Sequence, residues 1–156
     1  MSKVVLVGVG NPMRGDDGAG IKIARQLKGL IAQDGVEFEE VHGDGAELMS
    51  AWHGFESVYI FDAVMSHGEP GRVHRLDANE QSIPSDFFKY SSHAFSVAEA
   101  IEMGKVIGTL PKRVIVYGVE GSAFGHGEPI SDAVQKGIAL AVSRVLAELL
   151  GDAARD

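Results

Sequence analysis

Residues 3–20, Lys3-Val-Val-Leu-Val-Gly-Val-Gly-Asn-Pro-Met-Arg-Gly-Asp-Asp-Gly-Ala-Gly20, decide the fold. An apolar run of this kind, bounded by glycine, is typical of a strand buried on both faces of a parallel sheet. Apolar residues then recur at helical spacing and predict a helix over about residues 18–32: Ile21, Ala24, Leu27, Leu30 and Ile31. A strand, a turn-rich loop and a helix form the first unit of an α/β fold.

The rest of the chain repeats this alternation. Further strands are predicted over residues 36–41, 57–61, 72–76 and 114–119, and helices over 46–52, 95–107 and 131–150. The strand over 72–76 follows a glycine-proline turn and is predicted to lie at an edge. We therefore predict a three-layer α/β/α sandwich with a mostly parallel, twisted sheet of about five strands. It forms a single domain over residues 1–156, whose last few residues we expect to be disordered.

Composition excludes several classes of function. The net charge of −8 argues against nucleic-acid binding, because phosphate contacts need a concentrated basic face. No run approaches the roughly 18 apolar residues of a membrane span, and the N-terminus lacks the features of a signal peptide, so a cytoplasmic protein is expected. Without any cysteine, the chain has no disulfides, thiolate ligands or cysteine nucleophile of its own.

Three polar residues lie where an open α/β sheet places its site, outside the carboxyl ends of the strands. Asp17 follows the first strand by one loop, Asp62 stands at the end of the third strand, and His93 precedes the third long helix. Two carboxylates and an imidazole from separate segments suit a divalent transition metal with positions open for substrate.

Each of these residues also has a structural interpretation. Asp17, or its neighbour Asp16, stands where an N-cap of the first helix is expected. Asp62 follows an apolar strand, where an unpaired carboxylate is costly, and it has either a functional or a structural role. His93 taken alone is also compatible with a surface histidine or with a capping partner of the following helix.

A dinucleotide site is the rival hypothesis for the first loop. Gly8-Val9-Gly10 supplies half of the G-x-G-x-x-G pattern, but Met13 stands at the third glycine position. Asp16 and Asp17 would also face the pyrophosphate at the helix N-terminus, which is a repulsive arrangement.

The loop over residues 8–20 resembles the N-terminal signature of the hydrogenase maturation endopeptidases. The resemblance continues at Phe61-Asp62-Ala63-Val64, at Ser91-Ser92-His93 and at residues 116–121, Val-Tyr-Gly-Val-Glu-Gly. It covers nearly the whole chain in the right order, and its first segment is long and specific. One stretch departs from the family pattern: residues 42–47 read His-Gly-Asp-Gly-Ala-Glu where many relatives have Asp-Gly-Gly-Thr.

This resemblance implies a peptidase that removes a C-terminal extension from the precursor of a nickel-iron hydrogenase large subunit, after nickel insertion. It implies that Asp17, Asp62 and His93 are both the metal contacts and the catalytic residues. The nickel would come with the precursor, and no organic cofactor is expected. Asn11, Gly15 and Asp16 are predicted substrate contacts. An alternative with the same metal ligands is a nickel-sensing chaperone that binds the precursor without cleaving it.

Overall fold

The computed structural model describes residues 3–84, 86–88 and 95–155. Its strands and helices alternate as the sequence predicts. The strands are β1 (Val4–Val9), β2 (Val36–Val41), β3 (Ser57–Val64), β4 (Val73–Asp77) and β5 (Arg113–Glu120). The helices are α1 (Ala19–Leu30), α2 (Gly45–Trp52), α3 (Val97–Ile107) and α4 (Asp132–Arg155).

The five strands form one sheet in the order β2-β1-β3-β5-β4. The first four strands of that order are parallel, and β4 pairs antiparallel with β5. Because β1, β3 and β5 are parallel, their carboxyl ends meet at one edge. Asp62 and the loop that carries Asp17 leave the sheet at this edge.

Helices cover both faces of the sheet. One apolar layer contains the α2 and α3 side chains Leu48, Trp52 and Ile101, which pack with strand residues such as Val7 and Ile60. The opposite layer contains Ile23, Leu27, Ile138 and Val145 of α1 and α4, packed with strand residues such as Leu6 and Tyr59. Successive strand residues point to opposite faces, which is why the central strands β1, β3 and β5, covered on both faces, are mostly apolar. The predicted three-layer sandwich is confirmed.

The ends of two helices differ from the prediction. α1 begins at Ala19, because a short 3-10 turn (Gly15–Gly18) stands between the loop and the helix. α4 continues past Leu150 to Arg155, where disorder is expected from the sequence. Alanine and arginine favour helix, and propagation adds one hydrogen bond for each residue fixed.

None of the helices in the described part of the chain is both long and apolar enough to cross a membrane.

Candidate active site

The loop after β1 folds back on itself and brings Asp17 to the carboxyl edge of the sheet. Gly10 has a φ of 137°, and a Cβ there would lie 2.0 Å from the Asp17 carbonyl oxygen, so only glycine fits. The Asn11 backbone N–H donates to Asp17 Oδ2 at 2.9 Å, and the Asn11 Oδ1 accepts from Met13 N at 2.9 Å. The Asn11 backbone donor predicted to contact substrate therefore orients the Asp17 carboxylate.

Neither aspartate of the doublet caps α1, so the N-cap interpretation is wrong. Both residues lie within the 3-10 turn, and the structure shows no side-chain cap at the start of the turn or of the helix. The intervening turn moves both carboxylates away from the free N–H groups of α1. Asp17 instead points back to Asn11, and Asp16 points to another loop.

Asp62 lies near the end of β3 and is only 7% exposed. The Ala63 N–H donates to its Oδ1 at 2.8 Å, and this is the one hydrogen bond that the carboxylate makes among the described residues. Burial raises the pKa of Asp62 well above its ordinary value, and the negative charge of Asp17 raises it further. The bond from Ala63 offsets these effects only in part.

Asp17 is partly buried, and burial also raises its pKa. The Asn11 N–H and the charge of Arg14 oppose that rise. The charge of Asp17 also raises the pKa of Asp62, so the two carboxylates influence each other at this edge of the sheet, and their role as metal ligands stays a prediction. Two poorly solvated carboxylates disfavour each other's charge, and a bound cation would relieve this repulsion. Asp17 and Asp62 fit the two oxygen ligands of the predicted metal site.

His93 lies outside the described residues, so its place in the site stays a prediction. Within the described ranges, no group of three histidine, aspartate or glutamate side chains is arranged to hold a metal ion.

Asp16 is fully buried and joins two loops. Its Oδ2 accepts from the backbone N–H groups of Ser122 and Ala123 at 2.8 Å and from the Ser131 hydroxyl at 3.0 Å, while its Oδ1 accepts from Ser131 N at 2.8 Å. The carboxylate predicted to contact substrate is therefore occupied within the protein. Any effect of Asp16 on a substrate passes through the loops that it holds.

Gly15 belongs to the same loop contact. A Cβ on Gly15 would lie 2.2 Å from the Ala123 carbonyl oxygen, and Asp16 N donates to that oxygen at 2.7 Å. Gly15 is thus buried against residues 121–131. A substrate therefore cannot approach Gly15 from the side on which a Cβ would lie, and a contact through its backbone N–H stays a prediction.

A third buried carboxylate, Glu120, is not among the residues predicted from the sequence. It ends β5, is 1% exposed, and is bonded to Ser66 and to His74 Nε2, the latter at 3.0 Å. The sequence pattern that singled out Asp62, an acidic residue directly after an apolar strand, is also present at Glu120. This residue directly follows the apolar residues Val114–Val119 of the predicted strand.

Gly8 of β1 and Gly20 of α1 allow the helix to pack closely on the sheet, and the carboxylates of the loop between them argue against a dinucleotide. A Cβ on Gly8 would lie 2.6 Å from the Gly20 carbonyl oxygen, and one on Gly20 would lie 2.1 Å from the Phe61 carbonyl oxygen. α1 therefore lies directly against β1 and β3. The Asp17 carboxylate stands in the loop where the pyrophosphate would have to lie.

Comparisons with known proteins show which family this chain resembles. The sequence model of the hydrogenase maturation protease family matches residues 21–148. The chain is 27% identical over 151 residues to a putative hydrogenase maturation protease of Methanocaldococcus jannaschii, covering 96% of this chain and 95% of that protein. It is also 27% identical over 150 residues to the hydrogenase 2 maturation protease of Escherichia coli, covering 94% and 90% of the two chains.

A solved structure shares the fold. The hydrogenase maturating endopeptidase HybD from E. coli superimposes with a TM-score of 0.82 at 27% identity, covering 96% of this chain and 93% of that one. The family match spans most of the chain, and the resemblance inferred from the sequence is confirmed. The chain belongs to the hydrogenase maturation protease family, and it is an endopeptidase of hydrogenase maturation.

Proposed function

We propose that this endopeptidase removes a C-terminal extension from the precursor of a nickel-iron hydrogenase large subunit, after nickel has been inserted. The observation that supports this proposal is the pairing of Asp17 and Asp62 in a member of this family. The charge of Asp17 raises the pKa of Asp62, so the two carboxylates share one poorly solvated site at the carboxyl edge of the sheet.

Nickel is part of the substrate in this proposal. The chain has no cysteine, so the thiolates that suit a soft site must come from the precursor. Asp17 and Asp62 supply oxygen ligands and His93 supplies a nitrogen ligand. Without nickel the two carboxylates repel each other. A nickel-loaded precursor neutralises them and binds, whereas a nickel-free precursor gains nothing from the pair. The same two residues thereby test whether the metal is present.

Peptide hydrolysis requires a water molecule that loses a proton and a leaving amine that gains one. A carboxyl group with a raised pKa exchanges protons more readily near neutral pH than an ordinary aspartate. Of the two aspartates, Asp62 has the more strongly raised pKa, which makes it the candidate base if a carboxylate activates the water. If the nickel of the substrate lowers the pKa of the water instead, both aspartates remain ionised as ligands.

The test is to incubate the purified protein with nickel-loaded and nickel-free precursor and to measure the mass of the large subunit. Asp17→Asn and Asp62→Asn should stop the mass loss, because each keeps the size of the side chain and removes a ligand charge. Asp34→Asn is the matched control, since Asp34 is exposed and lies away from the site.

The outcomes separate the proposal from its alternative. Loss of mass in the nickel-loaded precursor alone supports the protease with nickel recognition. An intact large subunit that stays in stable complex with the protein favours the nickel-sensing chaperone. Equal cleavage with and without nickel contradicts the recognition of nickel and leaves the peptidase activity in place.

A further inference from the structure

The buried Glu120 and the part-buried Ser66 and His74 form a polar cluster beside the site, and nothing in the proposed chemistry uses it. The Glu120 carboxylate accepts from the Ser66 backbone N–H at 3.2 Å, from the Ser66 hydroxyl, and from His74 Nε2 at 3.0 Å. Glu120 is 1% exposed and the His74 side chain 17% exposed. Such a pair is costly to bury, so its place in the fold calls for a physical reason.

The cluster lies at the same end of the sheet as Asp62. In the register of the strands, Asp62 stands opposite Gly118, and Gly118 stands opposite His74 on its other side. Glu120 is opposite Val64, two residues beyond Asp62. The cluster therefore holds the chain where it leaves β3, directly after the aspartate of the site.

The same cluster contacts the segment over residues 86–88. The rings of His74 and Phe87 are 4.8 Å apart, and the Phe87 carbonyl oxygen accepts from Met65 N at 3.1 Å. Met65 lies between Asp62 and Ser66 in the sequence, and Phe87 precedes His93 by six positions. Phe87 is therefore in contact with His74 of β4 and also with Met65, which directly follows β3.

A strained residue follows the cluster. His67 has a φ of 63°, the left-handed conformation that non-glycine residues rarely adopt. Such a conformation persists where the surroundings hold it. The two bonds from Ser66 to Glu120 hold the residue immediately before it.

We propose that His74 and Glu120 are a positioning pair for the active site. His74 bonds to Glu120 on one side and packs on Phe87 on the other. The pair thereby fixes residues 65–66, which follow Asp62, relative to residues 86–88, without contacting the scissile peptide or the nickel of the precursor. This inference rests on the proposed function, because it assumes that placement at the end of β3 governs processing.

The neighbouring residue on β4 provides a matched control. Arg75 points to the opposite face of the sheet and pairs there with Glu148 of α4, which also accepts from the Tyr117 hydroxyl at 2.9 Å. Loss of the Arg75 pair removes a partly buried ion pair from the same strand. It leaves the end of β3 unchanged.

The experiment compares His74→Ala, His74→Gln, His74→Phe and Arg75→Gln in the full-length protein. Glutamine keeps an N–H donor for Glu120, and phenylalanine keeps a ring for Phe87. Processing of nickel-loaded precursor gives kcat and KM, and hydrogen exchange followed by NMR reports on the Met65 amide. We expect His74→Ala to lower kcat about tenfold or more at nearly unchanged KM, since small misplacements of reacting groups are expensive. The Met65 amide should exchange faster in His74→Ala than in wild type. The kcat values and the Met65 exchange rates of His74→Gln and His74→Phe should lie between those of His74→Ala and wild type.

The proposal is overturned if His74→Ala leaves kcat and Met65 exchange unchanged, or if Arg75→Gln changes both to the same extent. Failure of the wild type to process the precursor is a separate result. It contradicts the proposed function, while Met65 exchange still reports whether His74 and Glu120 hold the end of β3.

Discussion

Asp16 and Ser131 lie 115 positions apart in the sequence and are joined by two hydrogen bonds, one from the Ser131 N–H at 2.8 Å and one from its hydroxyl at 3.0 Å. The same carboxylate accepts from Ser122 N and Ala123 N. One side chain therefore fixes the β1–α1 loop to the β5–α4 loop. Of two adjacent aspartates, the first holds the loops together, and the charge of the second raises the pKa of Asp62.

Asp16→Asn should destabilise the protein by about 2 kcal/mol or more. An amide NH2 replaces one acceptor oxygen and faces an N–H donor, which leaves buried donors unsatisfied. Urea denaturation measures the change in the free energy of unfolding, with Asp34→Asn as an exposed control expected within about 0.5 kcal/mol of wild type. A value for Asp16→Asn inside that same range would contradict the role of Asp16 as the link between the loops.

Asp62→Asn should abolish processing and yet leave the protein at least as stable as wild type at neutral pH. The folded-state pKa of Asp62 is raised, so the folded protein binds this proton more tightly than the unfolded chain. The contribution of Asp62 to stability is therefore greatest below its unfolded pKa, and it falls as the pH rises towards the folded pKa. Each tenfold difference in proton affinity between the folded and unfolded chain corresponds to about 1.4 kcal/mol.

Denaturation of both proteins between roughly pH 4 and pH 7 measures this trend, because that interval spans the region above the unfolded pKa of aspartate. The stability of Asp62→Asn relative to wild type should grow with pH. A difference that stays constant over the range would mean that Asp62 is not desolvated in solution.

Asp17→Asn should lower the pKa of Asp62, because it removes the negative charge that raises it. Carbon-13 NMR of the Asp62 carboxyl group follows the titration directly in the wild type and the variant. The same substitution should weaken the stabilisation of the protein by added Ni²⁺, measured as a shift in Tm. An unchanged Asp62 titration would show that the two carboxylates do not interact in solution.

His67→Gly should stabilise the protein by roughly 1 kcal/mol. The residue has a φ of 63°, and the left-handed conformation costs a side chain about 1–2 kcal/mol that glycine does not incur. His53→Gly is the contrasting control, because His53 has a φ of −59° and glycine there gains nothing. A lower Tm for His67→Gly would show that contacts of the histidine side chain outweigh the backbone cost.

The sequence predicts the fold well because its strongest signals are local. Continuous apolar runs identify the buried strands, and the carboxyl-end rule places Asp17 and Asp62 at one edge from their positions in the chain alone. The partners of Asp16 and Glu120 could not be predicted in this way. Ser131 is 115 positions from Asp16, and His74 is 46 positions from Glu120, so neither pairing leaves a periodic signal.

The supposed N-cap shows a different limit. Asp before a helix is a good capping signal, but a 3-10 turn of four residues changes where both carboxylates point. Sequence alone does not separate such a turn from the first turn of the helix. The pairing of β4 with β5, rather than with the strand that precedes it in sequence, is a comparable case of tertiary context deciding the outcome.

The link from Asp16 to Ser131 also has a consequence for synthesis on the ribosome. The first loop of the site is translated more than 100 residues before the donors that hold it, which lie in residues 122–131. A nascent chain that stops after β4 carries Asp17 and Asp62 without the anchor of their loop. Activity should therefore emerge only after residues 122–131 have been translated and folded, which keeps shorter nascent chains from acting on a precursor.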